Sequence, residues 1–218
     1  HIIPMVAAIW SMPFEKAKDM PLKIFLNFFI NHGLFKLKNR PQWYTVTNRS
    51  RTYVNKILNK ISGEVFKNYQ VSKIVRSDNN ARVSIGNEYI DYDYVVLASH
   101  ADQSLKMIED PTEEEKEILT KFSYVSNSAY LHIDKNLMPQ RKSAWSSWNS
   151  ITKENKTCVT YWLNKLQNLK TEKNYFLTLN PVEKIREENI LKKVNFTHPY
   201  FNNENVTLQK YLHTLQGK

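Results

Sequence analysis

The sequence predicts an α+β protein, with an antiparallel meander near the middle of the chain and a mixed or antiparallel sheet with covering helices in its second half. Three alternating segments between Tyr69 and Ala98 are joined by Asp78-Asn79-Asn80 and by Gly86-Asn87, connections so short that the segments pair as hairpins. Beyond Phe122 a second series of β-branched and aromatic segments follows. Apolar residues at helical spacing precede and separate the two.

Taken in order, residues 13–33 read as helical. Pro21 suits a first helical turn, Leu22, Phe25, Leu26, Phe29 and Ile30 recur at helical spacing, and Gly33 can close the helix in a left-handed cap. This Phe-rich stripe fits core packing, the wall of an apolar pocket, or a membrane-touching face. Arg40 to Val46, RPQWYTV, is extended, and Asn48-Arg49-Ser50 leads into a short helix over 52–61, with Ser50 as N-cap and Gly63 as its end. A turn that runs into a helix start can hold an anion on free backbone amides. Strands over 71–76, 81–85 and from Glu88 onward make the meander.

The third strand leads into Val95, Val96, Leu97 and Ala98, a continuous apolar run with the pattern of a strand buried on both faces, which ends in Ser99, His100, Ala101 and Asp102. Two readings fit: a ligand crevice beyond the carboxyl edge of a sheet, or an ordinary strand-to-helix turn capped by Ser99 or Asp102. A helix over 102–108 follows. Asp110-Pro111-Thr112-Glu113 then opens another, with a capping-box pattern and proline at its first position, and Glu113, Glu114 and Glu115 are read as structural carboxylates favoured by the helix dipole. Strands are expected over 124–133, 144–148, 157–163 and 175–179. Helices are expected over 183–192 and 205–215, with His198-Pro199 as the turn between.

The 218 residues, 41% hydrophobic and 24% charged, suit an ordinary globular protein with one sizeable core or two modest lobes. A net charge of +10 raises the question of phosphates as partners, but the lysines run along the whole length, so no nucleic-acid partner is expected. The single Cys158 excludes an internal disulfide and is read as a packed structural thiol in a reducing, cytoplasmic setting. The opening HIIPMVAAIWSMP has no charged-then-apolar leader, and the greasy stretch over 22–37 is too short and too interrupted by polar residues to span a bilayer.

Six scattered histidines lack ligand spacing, so no metal is expected, and there is no nucleophile elbow, P-loop or G-x-G-x-x-G. No catalytic side chain is assigned. Trp145, Trp148, Tyr161 and Trp162 fall on two neighbouring strands, where aromatic side chains either wall a flat cofactor or apolar substrate or pack across strands in a core.

The succession PMVAAIWSMP, FLNFFINHGL, RPQWYTV, YDYVVLASHADQ, LMPQRKSAWSSWN, VTYWLNKLQNL and FLTLNP resembles, in order over nearly the whole chain, the bacterial flavin-containing amine-oxidase-like proteins. These are relatives of monoamine oxidase, protoporphyrinogen oxidase and phytoene desaturase, and a similar region precedes the methyltransferase part of plant cyclopropane fatty acid synthases. The resemblance implies the central part of an FAD-dependent oxidoreductase, a partial α/β FAD-binding fold without its terminal dinucleotide-binding segments. Residues 1–47 would be the helical and pocket part of the substrate domain, 48–110 a partial FAD domain, and 111–218 the substrate-domain sheet and helices. By position, Val71, Ala98, Ser99 and His100 would lie along the dinucleotide, with Arg40, Trp43 and Ser50 near the flavin or the pocket. Relatives carry glycines where Asn48 and Arg49 stand. Trp145, Trp148, Tyr161 and Trp162 would wall a pocket for an amine or lipid-derived substrate, with Asn149 as a polar contact. Two other readings are a truncated interaction module and a basic protein peripheral to the inner membrane surface that uses Phe25 and Phe29.

Overall fold

The computed structural model describes residues 2–217. In chain order the elements are α1 (Ile2–Trp10), α2 (Leu22–Asn31), α3 (Ser50–Leu58), β1 (Val71–Arg76), β2 (Ala81–Ile85), β3 (Glu88–Tyr92), α4 (Ala101–Met107), α5 (Glu113–Leu119), β4 (Tyr124–His132), β5 (Trp148–Lys153), β6 (Lys156–Trp162), α6 (Leu163–Leu166), β7 (Phe176–Leu179), β8 (Ile190–Pro199) and α7 (Asn203–Leu208). The class is α+β, as the pattern predicts. The chain divides into two compact units, one made of the residues up to Lys60 with Tyr124–Asn202, the other of Ile61–Ser123 with the residues from Asn203 onward.

The first unit is built on a five-stranded sheet in the order β5-β6-β7-β4-β8, antiparallel throughout. Strand β8 replaces the helix expected over 183–192, which is reduced to a 3-10 turn at Glu187–Asn189. Local propensity in that Lys- and Glu-rich segment loses to nine paired positions along β4. The strand expected over 144–148 also moves: Lys142–Ala144 is a 3-10 turn and β5 starts at Trp148.

Helix α1, not foreseen in the sequence, buries Val6, Ala7 and Ala8, and residues 13–20 hold only a 3-10 turn at Lys16–Asp19. Pro21 is the N-cap of α2. Phe25 and Phe29 of α2 join Val6, Ala7, Met12, Ala17, Met20, Val125 and Tyr200 in one core cluster. The membrane-touching reading of Phe25 and Phe29 is thereby corrected: both rings are inside. Gly33 ends α2 at φ +61°, with its N–H donating to the Ile30 carbonyl and the Leu34 N–H donating to the Phe29 carbonyl, the paired bonds of a Schellman cap.

The second unit holds the meander β1-β2-β3 in the predicted antiparallel order, with Gly86 at φ +61° in its tight turn. Ile74, Val83 and Ile118 are its buried apolar side chains. Arg76, at the end of β1, makes a bidentate pair with Glu115 of α5, at 2.7 and 3.1 Å, and donates a further bond of 2.7 Å to the Asp110 carbonyl. Glu115 also closes the capping box with Thr112, which is the N-cap of α5; Pro111 stands before the cap rather than in the helix. Burial pushes the Glu115 carboxyl up, but hydrogen bonds from Arg76 and from the Thr112 amide, with the Arg76 charge, outweigh it and hold the group below its ordinary value.

The buried strand expected at Val95–Ala98 does not form. The segment belongs to no strand or helix and pairs with nothing among the described residues, and Val96 is 89% exposed. Its composition is that of an internal strand of a sheet, and among the described residues no strand pairs with it.

Two substitutions test this account. A Cβ at residue 33 would sit 2.7 Å from Pro41 Cδ on a left-handed backbone, so Gly33→Ala should lower stability by roughly 2 kcal/mol in urea unfolding. A carboxyl held low in the folded state stabilises above its unfolded pKa, and that contribution is lost as pH falls through the folded value. Glu115→Gln should therefore cost roughly 2 kcal/mol near neutral pH, because it removes the buried carboxylate that Arg76 grips at two points and, among the described residues, leaves the guanidinium only Asp110, at 3.5 Å, as a charged partner. It should also flatten the acid limb of the stability curve; an unchanged limb would show that the pair is not the cause.

Candidate functional site

The alternation of β5 and β6 sorts the aromatic candidates onto the two faces of the sheet. Trp148 lies opposite Tyr161 across the β5–β6 pair, ring centroids 5.8 Å apart. Trp162 follows Tyr161 and points to the other face, where Trp145 meets it edge-on at 5.3 Å and meets Phe176 at 5.7 Å. The four residues therefore cannot wall a single pocket. Trp145 sits before β5, its indole N–H bonded to the Pro139 carbonyl at 2.7 Å, and the Trp162 indole is held by Asn174 at 2.9 Å. Trp148 stays 45% exposed, and burial raises the Tyr161 phenol above its usual range, partly offset by a hydrogen bond from Trp148.

Asn149 is not free to serve as a pocket contact. Its amide donates to the Ser146 and Thr160 carbonyls while its oxygen accepts from the Ser146 N–H, so the side chain pins the entry to β5. It ends a buried polar row that the sequence reading missed. His132 of β4 accepts from the Asp134 N–H at Nδ1, which leaves the proton on Nε2 to donate to the Thr178 hydroxyl at 2.7 Å, and Thr178 meets Thr160 at 2.8 Å. His132, Thr178 and Thr160 are at most 1% exposed. Burial pushes the His132 imidazole down, with the Asp134 charge opposing only in part, so this histidine is neutral and structural. Threonines at alternate, inward positions of two β-branched segments were the available signal.

Asp134 is also buried, yet its carboxyl is lowered to about 2, because hydrogen bonds from Arg186, the Asn136 and Arg186 amides and Asn189 overcome the burial. Cys158 is buried and free, its thiol pushed up by burial, which suits the packed structural thiol expected.

The cofactor candidates fall in both units. In the first, Arg40 donates to the Lys36 carbonyl at 2.8 Å. Trp43 stacks on His32, which itself stacks on Phe28 at 4.0 Å. Ser50 is the first residue of α3 rather than its N-cap; Arg49 holds that position without a side-chain cap. Asn48 (φ +62°) and Arg49 (φ +72°, ψ −179°) keep a glycine-type backbone without glycine, and the Arg49 conformation belongs to a region populated almost only by glycine.

In the second unit, Val71 opens β1, and Ala98, Ser99 and His100 lead from the apolar run into α4, with His100 at the N-cap and Ser99 Oγ 2.8 Å from Ser104 Oγ. Asp102, in the first turn of α4, has a buried carboxylate oxygen, Oδ1, with no hydrogen-bond partner among the described residues.

No family model matches the sequence, and no curated protein matches it. Solved structures do share its fold. A candidate protoporphyrinogen oxidase from Exiguobacterium sp. 255-15 is similar over 99% of this chain and 56% of its own, with a TM-score of 0.61 at 10% identity. A fatty acid isomerase from P. acnes that produces CLA is similar over 78% of this chain and 45% of its own, with a TM-score of 0.54 at 12% identity. The chain thus spans about half the length of these structures, and at such identities the likeness shows the fold alone.

The glycine-type turn makes its own prediction. Arg49→Gly should relieve backbone strain and raise stability by about 1 kcal/mol, net of the added freedom of the unfolded chain. An unchanged or lowered urea midpoint would show that the turn is unstrained.

Proposed function

We propose that this chain is the central portion of an FAD-dependent oxidoreductase of the amine-oxidase-like kind, acting on an amine or, as the Phe and Trp content favours, on an apolar or lipid-derived substrate. The observation that carries the reading is the fold likeness over 99% of the chain to a candidate protoporphyrinogen oxidase, the type of relative to which the ordered sequence motifs independently point.

The residues present fit the cofactor at three places. The Asn48–Arg49 backbone holds positive φ angles of the kind glycine adopts most readily, which suits a turn where a ligand approaches the main chain. Asp102 offers an orphaned acceptor beyond the run that ends in Ala98, Ser99 and His100, suited to a ligand N–H or O–H donor. The unpaired Val95–Ala98 run has the composition of an internal strand of a dinucleotide-binding sheet.

On this reading Val71, Ala98, Ser99 and His100 hold the dinucleotide, and Arg40, Trp43 and Ser50 stand near the isoalloxazine or the pocket. The flavin, when bound, supplies the redox chemistry as a hydride acceptor. The protein's part is to orient the substrate and keep water away, and Trp148 beside Tyr161 is the aromatic pair that retains area for this. A buried reduced thiol at Cys158 fits a cytoplasmic setting. Among the described residues, no helix is long and apolar enough to cross a membrane.

The complete gene product, purified gently, should be yellow, show flavin absorption bands and release FAD on denaturation. Colourless protein that takes up no FAD on titration would overturn the assignment.

A further inference from the structure

Between Asp19 and Glu64 the chain holds eight lysines and arginines and neither aspartate nor glutamate. Most of the net charge of +10 therefore sits in one acid-free stretch, although lysines occur along the whole length. All eight cations are exposed, and none is ion-paired among the described residues.

The same stretch exposes aliphatic side chains. Helix α2 turns Phe25 and Phe29 into the core, but Leu22, Leu26 and Ile30, at four-residue spacing, form a second apolar stripe that is 66%, 38% and 63% exposed. Past the Gly33 cap, Leu37 is 89% exposed between Lys36 and Lys38. A helix apolar on both sides has a partner on both sides. Cations beside exposed aliphatics select the outer one by charge and by phase. Nucleic acid would take the cations but leave Leu22, Ile30 and Leu37 in water, whereas an anionic bilayer accepts lysines at its phosphates and aliphatic side chains just beneath them.

We propose that the outer stripe of α2 and the Lys36–Lys38 loop dock on the surface of an anionic lipid bilayer, with the helix lying in the headgroup plane. The proposal is independent of the flavin assignment, since it concerns residues other than Arg40, Trp43 and Ser50 and its test needs no bound cofactor.

The test is sedimentation of the complete gene product with vesicles of phosphatidylglycerol and phosphatidylcholine, against vesicles of phosphatidylcholine alone. Binding should require the anionic lipid and fall as salt rises. The double substitution Lys36→Gln/Lys38→Gln should weaken it by roughly 25-fold, about fivefold for each cation lost. Leu37→Ser should weaken it several-fold with an unchanged circular dichroism spectrum, because a side chain this exposed does not hold the fold. The proposal fails if anionic vesicles leave the protein in the supernatant, if neutral vesicles bind it equally, or if the lysine variant binds as wild type. It also fails if Leu37→Ser leaves binding unchanged while the protein is retained on duplex DNA, which would assign the cations to nucleic acid.

Discussion

Satisfying four buried polar side chains in register is the constraint on which the larger unit depends. Asn149, Thr160, Thr178 and His132 come from β5, β6, β7 and β4, and each is hydrogen-bonded to the next. A slip of one residue in any of these strands would turn the set to the opposite face and leave its partners buried and unpaired, at about 1–3 kcal/mol for each. On the far side of β4, Asn127 is equally buried, and Asn180 ties it to the loop after β7 through bonds of its amide to Asn127 and of its carbonyl oxygen to the Ser128 amide. Hydrophobic pairing alone tolerates neighbouring registers of a β-branched strand; these polar contacts do not. The apolar layer formed by α1 and α2 then has a fixed surface to cover.

The smaller unit solves the same problem with charge, because its buried apolar residues are few. The Arg76 fork reaches one element through Glu115 and the chain before it through the Asp110 carbonyl, while Glu115 spends its remaining capacity on the Thr112 cap. One carboxylate thus ends a strand, starts a helix and joins the two. Such a pair stabilises little more than a well-packed apolar substitute would, but breaking one partner is costly, so it specifies geometry more than it adds stability.

The legible parts of the sequence were those governed by local chemistry. The turns Asp78-Asn79-Asn80 and Gly86-Asn87, the Gly33 cap and the acidic start of α5 act within a few residues, and the strands and caps they imply are present, with small shifts such as Thr112 for Asp110. The illegible parts depend on distant partners. The segment 183–192 reads as a helix until β4 is available to pair with its end. Trp145 and Trp162 part from Trp148 and Tyr161 by strand alternation itself, which was legible, whereas the displacement of the β5 start from Ala144 to Trp148 was not. Asn149 has the look of a pocket residue because its amide is polar, and only the structure shows that this amide is already used. Val95–Ala98 carries the signature of a strand buried on both faces, which reports what the segment requires and not what stands beside it.

That distinction also bears on the turn at Asn48–Arg49. Strained backbone of this kind, costing about 1–3 kcal/mol, persists where its surroundings over-determine it. Here the surroundings are thin: α3 buries none of its side chains, and a nine-residue helix has little stability of its own. What holds the turn locally is the Thr52 hydroxyl, bonded at 3.2–3.3 Å to the carbonyls of Thr47 and Asn48, and the Arg49 N–H on the Val46 carbonyl. Under the proposed flavin reading the balance closes differently. A ligand seated on the α3 amides adds binding free energy to one conformation of the turn only, so strain that a short helix sustains poorly by itself becomes pre-organisation once the site is filled. Glycine at Arg49 would then trade in opposite directions, stabilising the empty chain while making the bound turn more costly to order.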